Sequence, residues 1–304
     1  PLSDRNRLSA RIAARWHAFL DGDVFHSFKR SPTTIVALVV TVIFFIAALF
    51  APWLAPHETS NVASLNLMDA FKPPVWQQGG DPNFLLGTDD QGRGVLSSIM
   101  FGLRISLLVG FASVLLAAVF GTVLGLISGY LGGRLDSFIM RIADIQLTFP
   151  TFFLYLLLVY LFGGSLFLLI VIFGITSWGG VARLVRSEAL QRREEEYITA
   201  ANSAGASTLY VIRRHIVPNV SNTVITATTL LIPSLILAEA GLSFLGLGDP
   251  TVPSWGQVIS SGRGDLSTAW WVSTIPGFFL FFTILGFNFM GDALRDALDP
   301  RSEH

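Results

Sequence analysis

Three ionisable side chains stand inside or beside strongly apolar sequence: Arg141 and Asp144 in RIADIQLTFP, and Glu239 in LILAEAGLSFLG. Residues three apart share one face of a helix, and an unpaired charge at the centre of a membrane helix costs about 2.5–3.5 kcal/mol on insertion scales. Arg141 and Asp144 are therefore expected to pair. Glu239 has two readings: a polar group facing a cavity, or a carboxylate that hydrogen-bonds loop backbone at the membrane boundary. Other chemistries lack their parts. The chain has no cysteine, which excludes disulfides, thiol catalysis and cysteine-ligated metals. His17, His26, His57, His215 and His304 are scattered, so no metal site is expected. Neither Lys29 nor Lys72 follows a glycine, so no phosphate-binding P-loop can be drawn, and HExxH and GxSxG are both missing. No catalysis is expected of this chain alone.

The elements that must position these groups are set by composition. Of 304 residues, 52% are hydrophobic and 13% charged, against about 25% charged in an ordinary soluble domain. Crossing a hydrocarbon core of about 30 Å takes about 20 apolar residues. Six stretches qualify, at about 33–54, 105–127, 137–161, 165–185, 220–247 and 270–291. The reading is an all-α polytopic membrane protein with six transmembrane helices, and Pro150, Pro233 and Pro276 are expected to kink theirs. The segment before the first span carries Arg5, Arg7, Arg11, Arg15, Lys29 and Arg30, too much polar chain for a signal peptide, so that span is read as a retained anchor.

Lysine and arginine set the orientation. With the N-terminus inside, sixteen of the twenty fall on the cytoplasmic side, and only Lys72, Arg93, Arg104 and Arg263 fall outside. Both termini are therefore expected in the cytoplasm. The expected organisation is a cytoplasmic segment at 1–32, a first helix and extracytoplasmic loop at 33–104, and a core of five helices at 105–304. Outside the membrane, GTDDQGRG carries Asp89 and Arg93, and PSWG carries Trp255. Each has two readings, internal bracing (for Trp255, headgroup anchoring) or a rim on which a soluble partner docks.

The longest amphipathic run is EYITAANSAGASTLYVIRRHIVPN, Glu196 to Asn219. A helix is expected from about Glu188 to Ala204, broken by Gly205, with Tyr197, Ala200, Ala201 and Ala204 on one face. A second begins after Ser207 as N-cap, puts Leu209, Ile212 and Ile216 opposite Arg213 and Arg214, and stops at Pro218. Small side chains admit close approach, and the arginines can reach a partner's carboxylates or helix C-termini. The alternative is a helix pair lying on anionic headgroups. Glu194, Glu195 and Glu196 oppose that reading, because they would be repelled there.

This run resembles the coupling motif of ABC importer permeases: two alanines (Ala200, Ala201), a glycine four residues later (Gly205) and an Ile-x-Pro end (Ile216-Val217-Pro218). Thr199 stands where the family usually has Glu. LLGTDDQGRGVLSSIMFGLRISLLVG, SGYLGGRLDSFIMRIADIQLTFP, LSFLGLGDPTVPSWG and FNFMGDALRDALDP are similar to the C-type permease of the oligopeptide/dipeptide/nickel class. The resemblance implies the type I ABC importer permease fold in the cell inner membrane. It also implies coupling helices at 188–218, with Tyr197, Ala200, Ala201, Gly205, Arg214, Ile216 and Pro218 in contact with the ATPase. The implied partners are a homologous B-type permease, two ATP-binding subunits that hold ATP and magnesium, an extracytoplasmic solute-binding protein and membrane lipid, with no nucleic acid. The implied function is uptake of peptides or a similar small solute. The rival is a proton-coupled secondary transporter working through Glu239 or Asp144, which would need no large cytoplasmic knob. A weaker rival is a structural or insertase-like membrane protein.

Overall fold

The computed structural model of the protein describes residues 32–57 and 66–298. The N-terminal segment, His17, His26, His304 and Arg301 lie outside these. The helices in chain order are α1 (Pro32–Leu49), α2 (Ala51–Leu54), α3 (Val95–Leu126), α4 (Gly133–Thr148), α5 (Thr151–Phe162), α6 (Leu166–Arg193), α7 (Glu196–Ser203), α8 (Thr208–Val211), α9 (Val217–Phe244), α10 (Trp255–Ser261) and α11 (Trp271–Leu298). Among the described residues there is no β-strand, only an isolated bridge between Thr88 and Gly94.

Four helical runs are long and apolar enough to cross a membrane: α3 with its π-helical extension to Leu131, α6, the run from Thr208 to Phe244, and α11. The expected third span is not one straight helix. α4 and α5 meet at a 90° bend, because Pro150 has no N–H to donate and pushes Phe149 out of the helical region, to φ −78°, ψ 137°. Pro233 and Pro276 lie inside α9 and α11, which continue past them. α3 begins at Val95, ten residues before the apolar stretch at 105, because Val95, Ile99 and Leu103 in its first turns pack into the main core although Ser97, Ser98 and Arg104 interrupt the apolar run. α1 is apolar but shorter than these four runs, and it packs on α11 and α3.

The most extensive helix pairing joins α3 to α6, and glycines make it possible. Gly121, Gly125 and Gly129 recur every fourth residue, the small-xxx-small pattern that lets membrane helices approach closely. A methyl at Gly125 would come within 2.6 Å of the Ala182 carbonyl oxygen and 2.7 Å of Val185 Cβ. The backbone oxygen cannot yield. Gly125→Ala is expected to cost about 2 kcal/mol, within the overpacking range, whereas a Cβ at Gly180 meets nothing within 4 Å and Gly180→Ala should leave the melting temperature of the solubilised chain nearly unchanged. Equal melting of the two variants would refute this account of the pairing.

Two further contacts tie these helices together near the C-terminal ends of both. Arg186 grips Asp136 with Nε and Nη2 (2.5 and 2.7 Å), the same carboxylate accepts from the Ser128 hydroxyl, and Arg193 Nη1 donates to the Tyr130 carbonyl at 3.1 Å. The main core lies between α3, α5, α6, α9, α10 and α11 around Phe173, Leu235, Trp255 and Phe287.

Candidate functional site

The amphipathic run is a knob at the end of α6. The helix expected over 188–204 breaks at Glu194–Glu195, and Glu195 is extended at φ −66°, ψ 142°. Arg192 stabilises the corner by reaching Glu188 at 3.0 Å and Glu195 at 3.9 Å. Turning here brings Ile198 back into a second core of Leu126, Val181, Val185, Ala189, Val211, Ile216 and Val220, contact that a straight continuation of α6 would forgo. α7 then closes in a Schellman motif: Ala206 N–H donates to the Ala201 carbonyl at 3.1 Å and Gly205 N–H to Asn202 at 3.0 Å. This motif needs a left-handed residue, and Gly205 has φ +85°. The Ser207 hydroxyl accepts from Tyr210 N–H as N-cap of α8.

Pro218 does not stop the second helix. Residues Ile212–Ile216 form a π turn and the chain runs on into α9. In that turn Val217 N–H donates to Ile212, five residues back. The widened turn accommodates a proline that has no N–H of its own and would clash in a regular one. The exposed face therefore differs from the expected one. Tyr197 (43% exposed), Ala200, Ala204, Gly205, Leu209 (73%) and Tyr210 (53%) point outward, with Arg213, Arg214 and Pro218 also exposed. Ala201 leans inward, and Ile216 is wholly buried. Ile216 is an anchor of the knob and not a contact residue. Leu209, expected with Ile212 and Ile216 on the face opposite Arg213 and Arg214, is exposed as the two arginines are, and Tyr210, which the spacing does not single out, is exposed beside it.

Residues 66–94, ahead of α3, fold as a small lobe. Lys72 sits between Asp69 and Asp81 at 2.6 and 2.7 Å, and these carboxylates, Asp69 first, push its ammonium pKa up. Asp89 is buried and turns its carboxylate on its own loop, with Oδ1 accepting from the backbone N–H groups of Gln91 (2.9 Å) and Arg93 (2.8 Å). The bracing runs through Arg93's backbone, not its guanidinium. Arg93 Nε is buried without a partner among the described residues.

Burial pushes the Asp89 carboxyl up, against the two N–H groups that pull it down. A raised carboxyl costs nothing below its unfolded pKa and destabilises fully above its folded one. Asp89→Asn, which keeps the accepting oxygen, should therefore match or exceed the wild-type melting temperature at pH 7. The difference should vanish as the pH falls below the ordinary carboxylate range. A lower melting temperature for Asp89→Asn at pH 7 would contradict this.

Trp255 is 0% exposed. Its indole N–H donates to the Ile99 carbonyl at 2.8 Å, and its ring covers Gly102, where a methyl would lie 2.7 Å from Cδ1. It is neither a headgroup anchor nor a docking residue. With Asp89 also buried, two of the three expected rim residues are structural. The exposed apolar groups of the small lobe are led by Leu67, Met68 and Trp76, with Phe71, Val75 and Leu85 less exposed. Asp249 ties the segment between α9 and α10 to the start of α6 by accepting from Leu166 N–H at 2.9 Å.

The membrane charges also find other partners. Asp144 pairs with Arg183 of α6 at 2.6 Å, not with Arg141, and that pair is largely exposed. Glu239 is 1% exposed; one oxygen accepts from Ser106 of α3 at 2.9 Å and the other from Ser243 of α9 at 2.7 Å. It braces α3 against α9 through serine hydroxyls, neither facing an open cavity nor holding loop backbone. A cavity of about 580 Å³ opens instead between α5, α6 and α9, beside the Tyr155–Ser177 hydroxyl pair (3.2 Å) and lined also by Thr151, Thr176 and Ser234.

A helical bundle that carries a small-residue knob at the end of its most closely packed helix pair has the architecture of a transport permease. The chain belongs to the binding-protein-dependent transport system inner membrane components, whose family model matches residues 121–304, and residues 21–74 match the N-terminal transmembrane domain of oligopeptide transport permease C. It is 42% identical to the dipeptide transport system permease protein DppC of Escherichia coli over 92% of each chain. It is 38% identical to the di/tripeptide permease DppC of Pseudomonas aeruginosa (92% and 91%) and 36% identical to the oligopeptide permease OppC of Bacillus subtilis (98% and 93%). The MetNI methionine ABC transporter in an inward-facing conformation shares the fold, with a TM-score of 0.55, 19% identity, and 65% of this chain and 94% of that one covered. The protein is thus a multi-pass inner-membrane permease component of the ABC importer class. These relationships favour that reading over proton-coupled transport through Glu239 or Asp144.

Proposed function

We propose that this chain is the C-type half of a heterodimeric permease that imports peptides or a similar small solute delivered by an extracytoplasmic binding protein. In this reading it crosses the membrane six times, counting α1 and the bent α4–α5 pair as one crossing each, with both termini cytoplasmic. Two partner ATPase subunits bind ATP and magnesium. The observation that carries the reading is the knob: an outward face of Tyr197, Ala200, Gly205, Leu209 and Tyr210 on a base of Ile198, Val211 and Ile216 fixed to the α3–α6 pair. Closure of the ATPases is a rigid-body motion. A knob fixed to two tightly packed helices carries that motion into the membrane, and the bend at Phe149–Pro150 is where α5 can swing relative to α4. The binding protein docks on the outer lobe, for which Leu67, Met68 and Trp76 supply the exposed apolar contacts.

The test is uptake by vesicles reconstituted with the complete complex. Uptake should require ATP on the ATPase side and persist with a protonophore. Transport that collapses with the proton gradient while ATP remains would overturn the proposal. Orientation is readily mapped because the native chain has no cysteine: a single cysteine at Trp76 should react with an impermeant thiol reagent from outside, and one at Ala204 should not.

A further inference from the structure

Arg104 is the one arginine of α3, and nothing described above uses it. It is exposed, and it belongs to none of the ion pairs among the described residues. Its neighbours one turn away on the helix, Met100, Phe101, Leu107 and Leu108, are all apolar. It opens onto a groove of about 540 Å³ between α1 and α3, lined by Phe45, Leu49, Phe101, Leu108 and Phe111 with no carboxylate among the lining residues. The groove has a firm aromatic floor, in which Phe45 and Phe111 meet edge to face at 5.3 Å and both lean on Phe287, at 6.3 and 5.9 Å.

Depth identifies the missing counter-ion. From Arg104 to Leu126, α3 spans about 33 Å at 1.5 Å per residue, close to the hydrocarbon thickness of about 30 Å. Arg104 therefore lies at the membrane edge on the side of the outer lobe. Exposed Trp53, at the end of α2, marks the same edge. A guanidinium stays charged at any physiological pH and recognises phosphate oxygens in a planar two-pronged geometry. At this level the abundant anion is the phosphodiester of a phospholipid, and just below it the groove offers an aliphatic surface for one acyl chain.

We propose that Arg104 and this groove form a binding site for a single phospholipid, with the phosphodiester on the guanidinium and an acyl chain along Phe45, Leu49 and Leu108. Arg104 supplies the charge and α1–α3 the slot, so both head and tail are required. Bound there, the lipid seals α1, the shortest crossing helix, to the core of the bundle.

The experiment is native mass spectrometry of the purified complex, exchanged into detergent with 16:0/18:1 phosphatidylglycerol. Wild type should retain one lipid on this chain under conditions that strip bulk lipid. Arg104→Gln and the groove-filling Leu108→Trp should each lower its occupancy at least tenfold, with unchanged elution and melting, while Arg104→Lys keeps an intermediate occupancy. Inorganic phosphate should not displace the lipid, because it brings no chain for the groove. Equal occupancy in wild type and Arg104→Gln overturns the proposal, as does displacement by phosphate alone. A photo-crosslinker at position 108 that captures the partner permease in place of lipid also overturns it and makes the groove a subunit interface.

Discussion

Gly205→Glu is expected to abolish ATP-driven uptake in a chain that still inserts and folds, whereas Gly205→Asn should retain most of it. The glycine carries two separable burdens. Its φ of +85° closes the α7 Schellman motif, and any side chain with a Cβ pays roughly 1–2 kcal/mol in that conformation, asparagine less than most. Beyond strain, a Cβ at Gly205 meets nothing within 4 Å, so the fold itself has room for a side chain. Any effect larger than the strain must come from something outside this chain. Asn tests the backbone requirement and Glu adds a long, charged side chain to the surface the ATPase would cover. The expected readouts are normal membrane yield for both, weakened co-purification of the ATPases with Gly205→Glu, and uptake at least tenfold lower, equivalent to about 1.4 kcal/mol of lost coupling or binding. Normal ATPase retention and uptake in Gly205→Glu would mean that the knob is not the socket.

Much of this surface was legible in the sequence, and the failures have physical causes. The small-residue run, Gly205 and the Ser207 cap stand where expected because a left-handed C-cap and an oxygen-bearing N-cap are local requirements. The break at Glu194–Glu195 and the burial of Ile216 were not legible, since both depend on where the second core lies, and that core is assembled from α3, α6 and α9. Pro218 misled for a related reason: a proline ends a regular helix, but a π turn absorbs it. The partner of Asp144 was misassigned because spacing along one helix says nothing about Arg183 on a neighbour. Conversely, Gly121, Gly125 and Gly129 form a four-residue rhythm readable as a close helix contact, although only the structure shows that α6 is the partner. Lipid-facing and core-facing residues are both apolar, so composition located the membrane helices without saying how they pack.

Trp255 is where the structural reading displaces the docking one most sharply, and the two make opposite predictions. Were it a docking residue, Trp255→Ala would spare the fold and selectively reduce the ATP hydrolysis stimulated by the binding protein. The indole, however, is fully enclosed between α3 and α10 and hydrogen-bonded to Ile99. Removing a buried tryptophan typically costs about 3–5 kcal/mol. Collapse cannot readily recover that loss here, because Gly102, already against the ring, has no side chain to advance into the void and Gly256 sits hard against the Ala240 backbone. Trp255→Phe, which keeps most of the ring and loses the N–H donor, should cost about 1 kcal/mol, the worth of one hydrogen bond. The expected outcome is a large drop in melting temperature for Trp255→Ala and a small one for Trp255→Phe. Basal and stimulated hydrolysis should fall together, in proportion to the complex that survives. A Trp255→Ala protein with wild-type melting and a loss confined to the stimulated component would restore the docking role, and would require the indole to leave its enclosure when the binding protein arrives.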